Sequence, residues 1–221
     1  MTISLIYGII KILKIGGEVK IMSIISNFIF TGLSVLIAMV FHELSHGYAS
    51  YMLGDETPKR DGRLTLNPIA HLDLFGTVCL FLFHFGWAKP VQINPYNYKN
   101  KKLGTVLVSL AGPFTNFLIA LLGLLLLRIG TFLPTVIISF LYNLISINVG
   151  LGVFNLIPLP PLDGSKVLAA VLPQDLYMKY MSIEQYGFII LMVILATGVL
   201  SPFLNILYSG AYNILYAIAG L

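Results

Sequence analysis

His42-Glu43-Leu44-Ser45-His46 sets two imidazoles four residues apart, with a carboxylate beside the first. On a helix that spacing puts both rings on one face, a turn apart, where they can share one cation. Neutral imidazole is a ligand for zinc, and the adjacent glutamate can take a proton from water; this is the chemistry that HExxH spacing serves. A catalytic zinc site needs three protein ligands and one position left open. His71, Asp73, His84 and Asp163 are the candidates for the third. Asp163 follows a charge-free run, 129–162, and comes after Pro160-Pro161, where a helix cannot continue. The same position suits the N-cap of a helix starting near Gly164, so local reasoning leaves ligand and cap both open.

The chain carrying these groups has 221 residues, 57% hydrophobic and 10% charged, with a mean hydropathy of +0.90. Soluble domains are about a quarter charged, so these side chains cannot cover a water-facing surface. Residues 21–42, 103–127, 129–162 and 185–221 contain no Asp, Glu, Lys or Arg. Each run supplies the roughly 20 apolar residues that cross a bilayer. The chain therefore reads as a polytopic membrane protein, which excludes a soluble enzyme, a disordered chain and a nucleic-acid binder. Its pI of about 9.1 reflects 13 Lys and Arg against 9 Asp and Glu crowded into short loops, the pattern that holds an orientation in a membrane. Cys79 is the only cysteine, so there is no internal disulfide. Three ionisable groups in one apolar helix are costly in lipid, and such residues mark functional sites by default.

The elements that must position them follow from the apolar runs. The composition predicts an all-α bundle of about five to six transmembrane helices. The spans are 23–53, carrying the HExxH residues, then 104–127 and 132–157, and a final hairpin of 186–200 and 203–219 split at Ser201-Pro202. Between the HExxH helix and the next span, residues 64–87 are too short an apolar run to cross as a helix and predict strands or a re-entrant hairpin. A strand edge there would receive an unwound substrate by strand addition. Trp87, Tyr96 and Tyr98 suit an interfacial belt, a short helix is expected at 165–172, and 173–185 reads as a loop. If 64–87 returns to the side it left, Lys59, Arg60, Arg63, Lys89, Lys99, Lys101, Lys102, Lys166 and Lys179 share one face, with Arg128 opposite. That asymmetry places the main basic loops in the cytoplasm of a multi-pass protein of the cell membrane.

HELSHG, GRLTLNPIAHLDLFGT, GWAKPVQINP, LVSLAGPFTN and FNLIPLPPLDG together closely resemble the site-2 protease family of intramembrane zinc metalloproteases, from about Met22 to the C-terminus. The resemblance implies one Zn2+ per chain, held by His42, His46 and Asp163, with Glu43 as general base. It also implies that Asn155, eight residues before the aspartate, holds the substrate. The substrate would be a transmembrane protein, cut within or near its membrane segment and approached through the lipid bilayer. Regulated intramembrane proteolysis and clearance of leftover signal peptides are the family's uses; no PDZ or CBS domain accompanies the motifs, and no oligomeric state is implied. Two rival readings are a metal-binding membrane transporter or sensor without proteolysis, and a catalytically silent scaffold. His71 reads as a structural hydrogen-bonding histidine, and Cys79 and His84 as packing residues. Asn116, Asn143 and Asn148 read as interhelical hydrogen-bonding residues, Asn116 also lying in a family-like motif that can line the site.

Residues 22–221 are expected to form a single domain, preceded at 1–21 by a leader or interfacial segment. The GGEVK preceding Met22 reads like a translated ribosome-binding site, which makes Met22 the expected start. N-terminal sequencing of the native protein should begin at Met22; a peptide containing Lys11 or Lys14 would contradict it.

Overall fold

The protein, seen as a computed structural model, is described over residues 17–83, 86–130 and 132–221. The expectations for residues 1–16 and for His84 lie outside these. Among the described residues the structure is helical and contains no strand. Three helices form the centre: α1 (Gly17–Met52), α4 (Lys101–Ile129) and α5 (Thr135–Asn155). They pack pairwise against one another. Each is long and apolar enough to cross a membrane, α1 over Ser26–Met52.

Their ends follow local rules. α1 meets no proline and stops where Gly54 takes a positive φ of 100°, a conformation a Cβ would oppose. α4 starts on Asn100, whose side chain accepts from the Leu103 N–H. α5 starts after Pro134 and ends before Pro158. Between α1 and α4 lie the one-turn α2 (Thr57–Arg60) and α3 (Leu74–Phe83). After α5 come α6 (Asp163–Val171), α7 (Gln174–Ser182), α8 (Glu184–Thr197) and α9 (Ser201–Ala219).

Several expectations change here. The run 64–87 forms no strand among its described residues, so the strand edge expected to receive substrate is not formed there. A helix, α3, satisfies its own backbone groups, which a lone strand in an apolar setting cannot do. Asp73 starts it, accepting from the Gly76 N–H at 2.7 Å. The flanks of the excursion are nonetheless drawn together, by an isolated antiparallel bridge between Leu72 and Ala88 and by Lys89 N–H to His71 O at 2.9 Å. Residues 174–182, expected as a loop, are helical in α7. Tyr98, expected at an interface, is buried and hydrogen-bonded to Ser50, whereas Tyr96 is exposed beneath Lys101.

The final pair also departs from an antiparallel hairpin. Gly198 caps α8 at a φ of 69°, Pro202 opens α9, and the two helices meet at 92°. Arg128, at the far end of α4, donates Nη1 to Ala219 O at 2.8 Å. The end of α9 therefore lies beside the end of α4 that carries Arg128. By length and composition the described helices give three membrane spans, and four if this bent pair is one.

One buried carboxylate ties the end of α1 to the segment before α4. Asp55 accepts from Ser50 Oγ at 2.8 Å, Thr57 N–H and Oγ1 at 3.1 and 2.6 Å, Asn94 N–H at 2.7 Å and Asn97 Nδ2 at 2.8 Å. Burial opposes its ionisation, but the hydrogen bonds from Thr57, Asn94, Asn97 and Ser50 outweigh that and hold its carboxyl well below the usual carboxylate range. A lowered folded-state pKa adds stability above the unfolded value near 3.8, and that stability is lost as pH falls toward the folded value. Asp55→Asn, which turns a donor toward these donors, should cost about 2–3 kcal/mol at neutral pH. Thermal unfolding should show the gap to wild type narrowing below about pH 4; a gap that is absent at pH 7, or constant with pH, would contradict this role.

Candidate metal centre

Packing of α1 against α4, and of α4 against α6, brings the HExxH face onto Asp163. His42 lies ten residues before the end of α1, about 15 Å along the helix axis. Asp163 is the first residue of α6, with Leu162 at the N-cap position, so the capping role open to it in the sequence is not the one it takes. Its Oδ2 lies 3.1 Å from His42 Nε2 and 3.1 Å from His46 Nε2, and the two Nε2 atoms are 3.0 Å apart. His42, His46 and Asp163 are 5%, 8% and 8% exposed. Asp163 Oδ1, on the other side of the carboxylate, is 3.9 Å from Lys166 Nζ.

The partners of the other ring nitrogens decide what this triangle is. His46 Nδ1 lies 2.7 Å from the Val108 carbonyl, which can only accept, so Nδ1 carries the proton. His42 Nδ1 lies 2.7 Å from Asn116 Oδ1, and the Asn116 amide nitrogen is turned the other way, donating to Ala38 O at 3.1 Å. In its neutral form each imidazole, with its proton on Nδ1, presents an Nε2 lone pair to the triangle. Two such lone pairs and a carboxylate oxygen 3.0–3.1 Å apart are the donor set that a shared cation would satisfy. A tetrahedral zinc with N and O ligands at about 2.0–2.1 Å spaces them roughly 3.3–3.4 Å apart, so the donor set needs only a few tenths of an ångström of relaxation to fit.

Room for an ion is kept by a glycine. A Cβ at Gly112 on α4 would come within 2.5 Å of His46 Nε2 and 2.7 Å of His42 Nε2. Gly164, directly after Asp163, is needed for a different reason: a Cβ there would collide with the Leu156 carbonyl at the end of α5. Ser45 donates to Phe41 O and meets Thr115 Oγ1 at 2.7 Å, a further tie between α1 and α4 beside the triangle.

Glu43 faces the segment after the α3 excursion, where Val91 N–H donates to its Oε2 at 2.9 Å. That segment is fixed on both sides of Val91: Arg63 Nη2 donates to Lys89 O, and Asn94 N–H donates to Asp55. Among the described residues, the other candidates for a third ligand, Asp73 and His71, fall elsewhere. Asp73 caps α3, and His71 is fully buried with Nε2 donating to Thr65 O at 2.8 Å, the structural role expected of it. Asn155, the last residue of α5, donates Nδ2 to Leu151 O within its own helix at 3.1 Å and is not hydrogen-bonded to the triangle. Sequence reasoning missed Gly112 and the Val91 amide. Gly112 and Asn116 sit four apart on one face of α4, a signal that was available; a backbone N–H leaves none.

Comparison with known proteins gives the same direction. A family profile described as Peptidase family M50 matches residues 128–196, a stretch that contains Asn155 and Asp163. YwhC of Bacillus subtilis, named as a zinc metalloprotease, is 40% identical over 186 residues, covering 78% of this chain and 84% of that protein. Zinc metalloprotease MJ0392 of Methanocaldococcus jannaschii is 28% identical over 187 residues, 81% of this chain but 47% of its own length. Rip2 of Mycolicibacterium smegmatis, also named as a zinc metalloprotease, is 29% identical over 193 residues, 83% of this chain and 73% of its own. No solved structure matches the chain. The extent and identity of the YwhC match, together with apolar helices long enough to cross a membrane, show that the chain belongs to peptidase family M50 and is an intramembrane zinc metalloprotease.

Proposed function

We propose that His42, His46 and Asp163 hold the zinc, that Glu43 is the general base, and that the substrate is a peptide bond within or near a transmembrane segment of another protein. The observation that supports this most directly is the convergence of three acceptor atoms, each 3.0–3.1 Å from the other two, in a buried site. Zinc bound there supplies a Lewis acid that makes water acidic near neutral pH and polarises a carbonyl. Glu43 Oε2 is engaged by Val91 N–H, so Oε1 is the atom left to take the proton from the attacking water. The water oxygen bonds to the scissile carbonyl carbon as the C–N bond breaks, and Glu43 returns the proton to the leaving nitrogen. Asn155 is assigned to the substrate: with Nδ2 committed to Leu151 O, its Oδ1 is the atom that would accept from a substrate backbone N–H.

The reading extends to placement. Residues 22–221 act as one catalytic domain in the cell membrane, with the end of α1 and the basic loops on the cytoplasmic side. Lys59, Arg60, Lys99, Lys101 and Lys102 at the α1 and α4 ends, against Arg128 at the other, support that orientation. The α3 excursion, drawn together at its flanks, and the bent α8–α9 pair are the elements that add to the three long spans in the membrane.

Glu43→Gln should retain one zinc per chain and lose about 10²–10⁴-fold in cleavage of a model transmembrane substrate in proteoliposomes. Retained cleavage would contradict Glu43 as base. Gly112→Ala sets a methyl group in front of both Nε2 atoms and should weaken zinc binding at least about tenfold, by analogy with outer-shell substitutions; chelator competition showing wild-type affinity would contradict the assigned position of the ion.

A further inference from the structure

Asn148 lies in the middle of α5, fully buried and without a place in the chemistry so far described. Its hydrogen bonds run in one direction only. Nδ2 donates to Leu144 O at 2.8 Å, a backbone carbonyl that cannot donate, so Oδ1 is turned toward α4. There it accepts from Asn116 Nδ2 at 2.9 Å. Asn116, also fully buried, then has its nitrogen held by Asn148 on α5 and Ala38 O on α1, and its oxygen on His42 Nδ1.

We propose that Asn148 is a positioning residue for the metal centre: through Asn116 it keeps His42 protonated on Nδ1 and its Nε2 lone pair facing His46 and Asp163. The amide of Asn116 has two orientations of nearly equal shape. In the reversed one, an NH2 group would face the Nδ1–H of His42 and an oxygen would face the Ala38 and Asn148 oxygens. The imidazole could answer only by moving its proton to Nε2, where it would stand in the triangle in place of the lone pair. Ala38 O favours the observed orientation, and Asn148 Oδ1 adds a second acceptor on the same side. The chain from Leu144 through Asn148 and Asn116 to His42 spans three helices, so α5, which supplies no ligand, fixes the orientation of one.

The inference rests on the zinc site proposed above, and the experiment separates the two. Zinc affinity is measured by chelator competition on the full-length protein in detergent, together with the visible spectrum of the cobalt-substituted form and thermal unfolding of the metal-free form. Asn148→Leu removes the acceptor and should weaken zinc about tenfold and alter the cobalt spectrum. Asn148→Asp keeps an acceptor for Asn116 and should recover most of the affinity. Asn143→Leu is the comparison: it breaks the α1–α5 hydrogen bond from Thr31 Oγ1 at 3.2 Å, away from His42, and should leave affinity unchanged. If Asn148→Leu does not fold, Asn148→Ser, too short to reach Asn116, replaces it and should weaken zinc severalfold. Wild-type affinity in the Leu or Ser variant, or equal losses at Asn143 and Asn148, would overturn the positioning role. Wild-type zinc binding by His42→Ala would instead overturn the site itself.

Discussion

The convergence of two imidazole nitrogens and a carboxylate oxygen on one point is the constraint from which the rest of this structure can be read. Two imidazole lone pairs and a carboxylate oxygen sit 3.0–3.1 Å apart in a buried pocket, an arrangement no apolar core would assemble for its own stability. It is held by contacts away from the triangle. Val108 O and Asn116 Oδ1 fix the far nitrogens of the two rings, and Gly164 lets the start of α6 press against the end of α5 so that Asp163 reaches them. Such outer contacts set the ligand tautomers as well as their positions.

The same logic extends to the proposed base. Glu43 is held through a backbone N–H in a segment that is itself anchored at Lys89 and Asn94. The anchor at Asn94 is Asp55, a buried carboxylate whose partners are all donors. The polar end of α1 is therefore tied to Glu43, the proposed base, through this segment, without contact between Asp55 and the site. On the opposite flank Trp87 meets the Phe188 ring edge-on with centroids 5.0 Å apart, and Gly187 packs against Pro160. The start of α8 thereby braces both the segment before Val91 and the turn that delivers Asp163.

How much of this was legible in the sequence depends on whether the cause was local. The charge-free runs located α4, α5 and the end of α1 to within about three residues, while α1 starts at Gly17, well before the expected position 23; burial in an apolar medium leaves helices as the means of pairing backbone groups. The HExxH spacing and the isolated Asp163 point to the three donors, although local sequence alone does not separate ligand from cap at Asp163. Asp55 gave no signal: it sits in a run of polar loop residues, and its partners at Asn94 and Asn97 are about forty positions away. The bend between α8 and α9 was misread as a hairpin because Pro202 marks a break without giving its angle. For α7, a mixture of polar and apolar residues resembled a loop, although the stretch is helical.

The central claim is that one zinc ion is bound by two imidazoles and a carboxylate, with a position left for water. Zinc K-edge X-ray absorption of the purified full-length protein tests it most directly. The account predicts four N or O neighbours at about 2.0–2.1 Å, with the multiple scattering of two imidazole rings and no sulfur. A sulfur neighbour at about 2.3 Å, which Cys79 alone could provide, or scattering from fewer than two imidazoles, would contradict it.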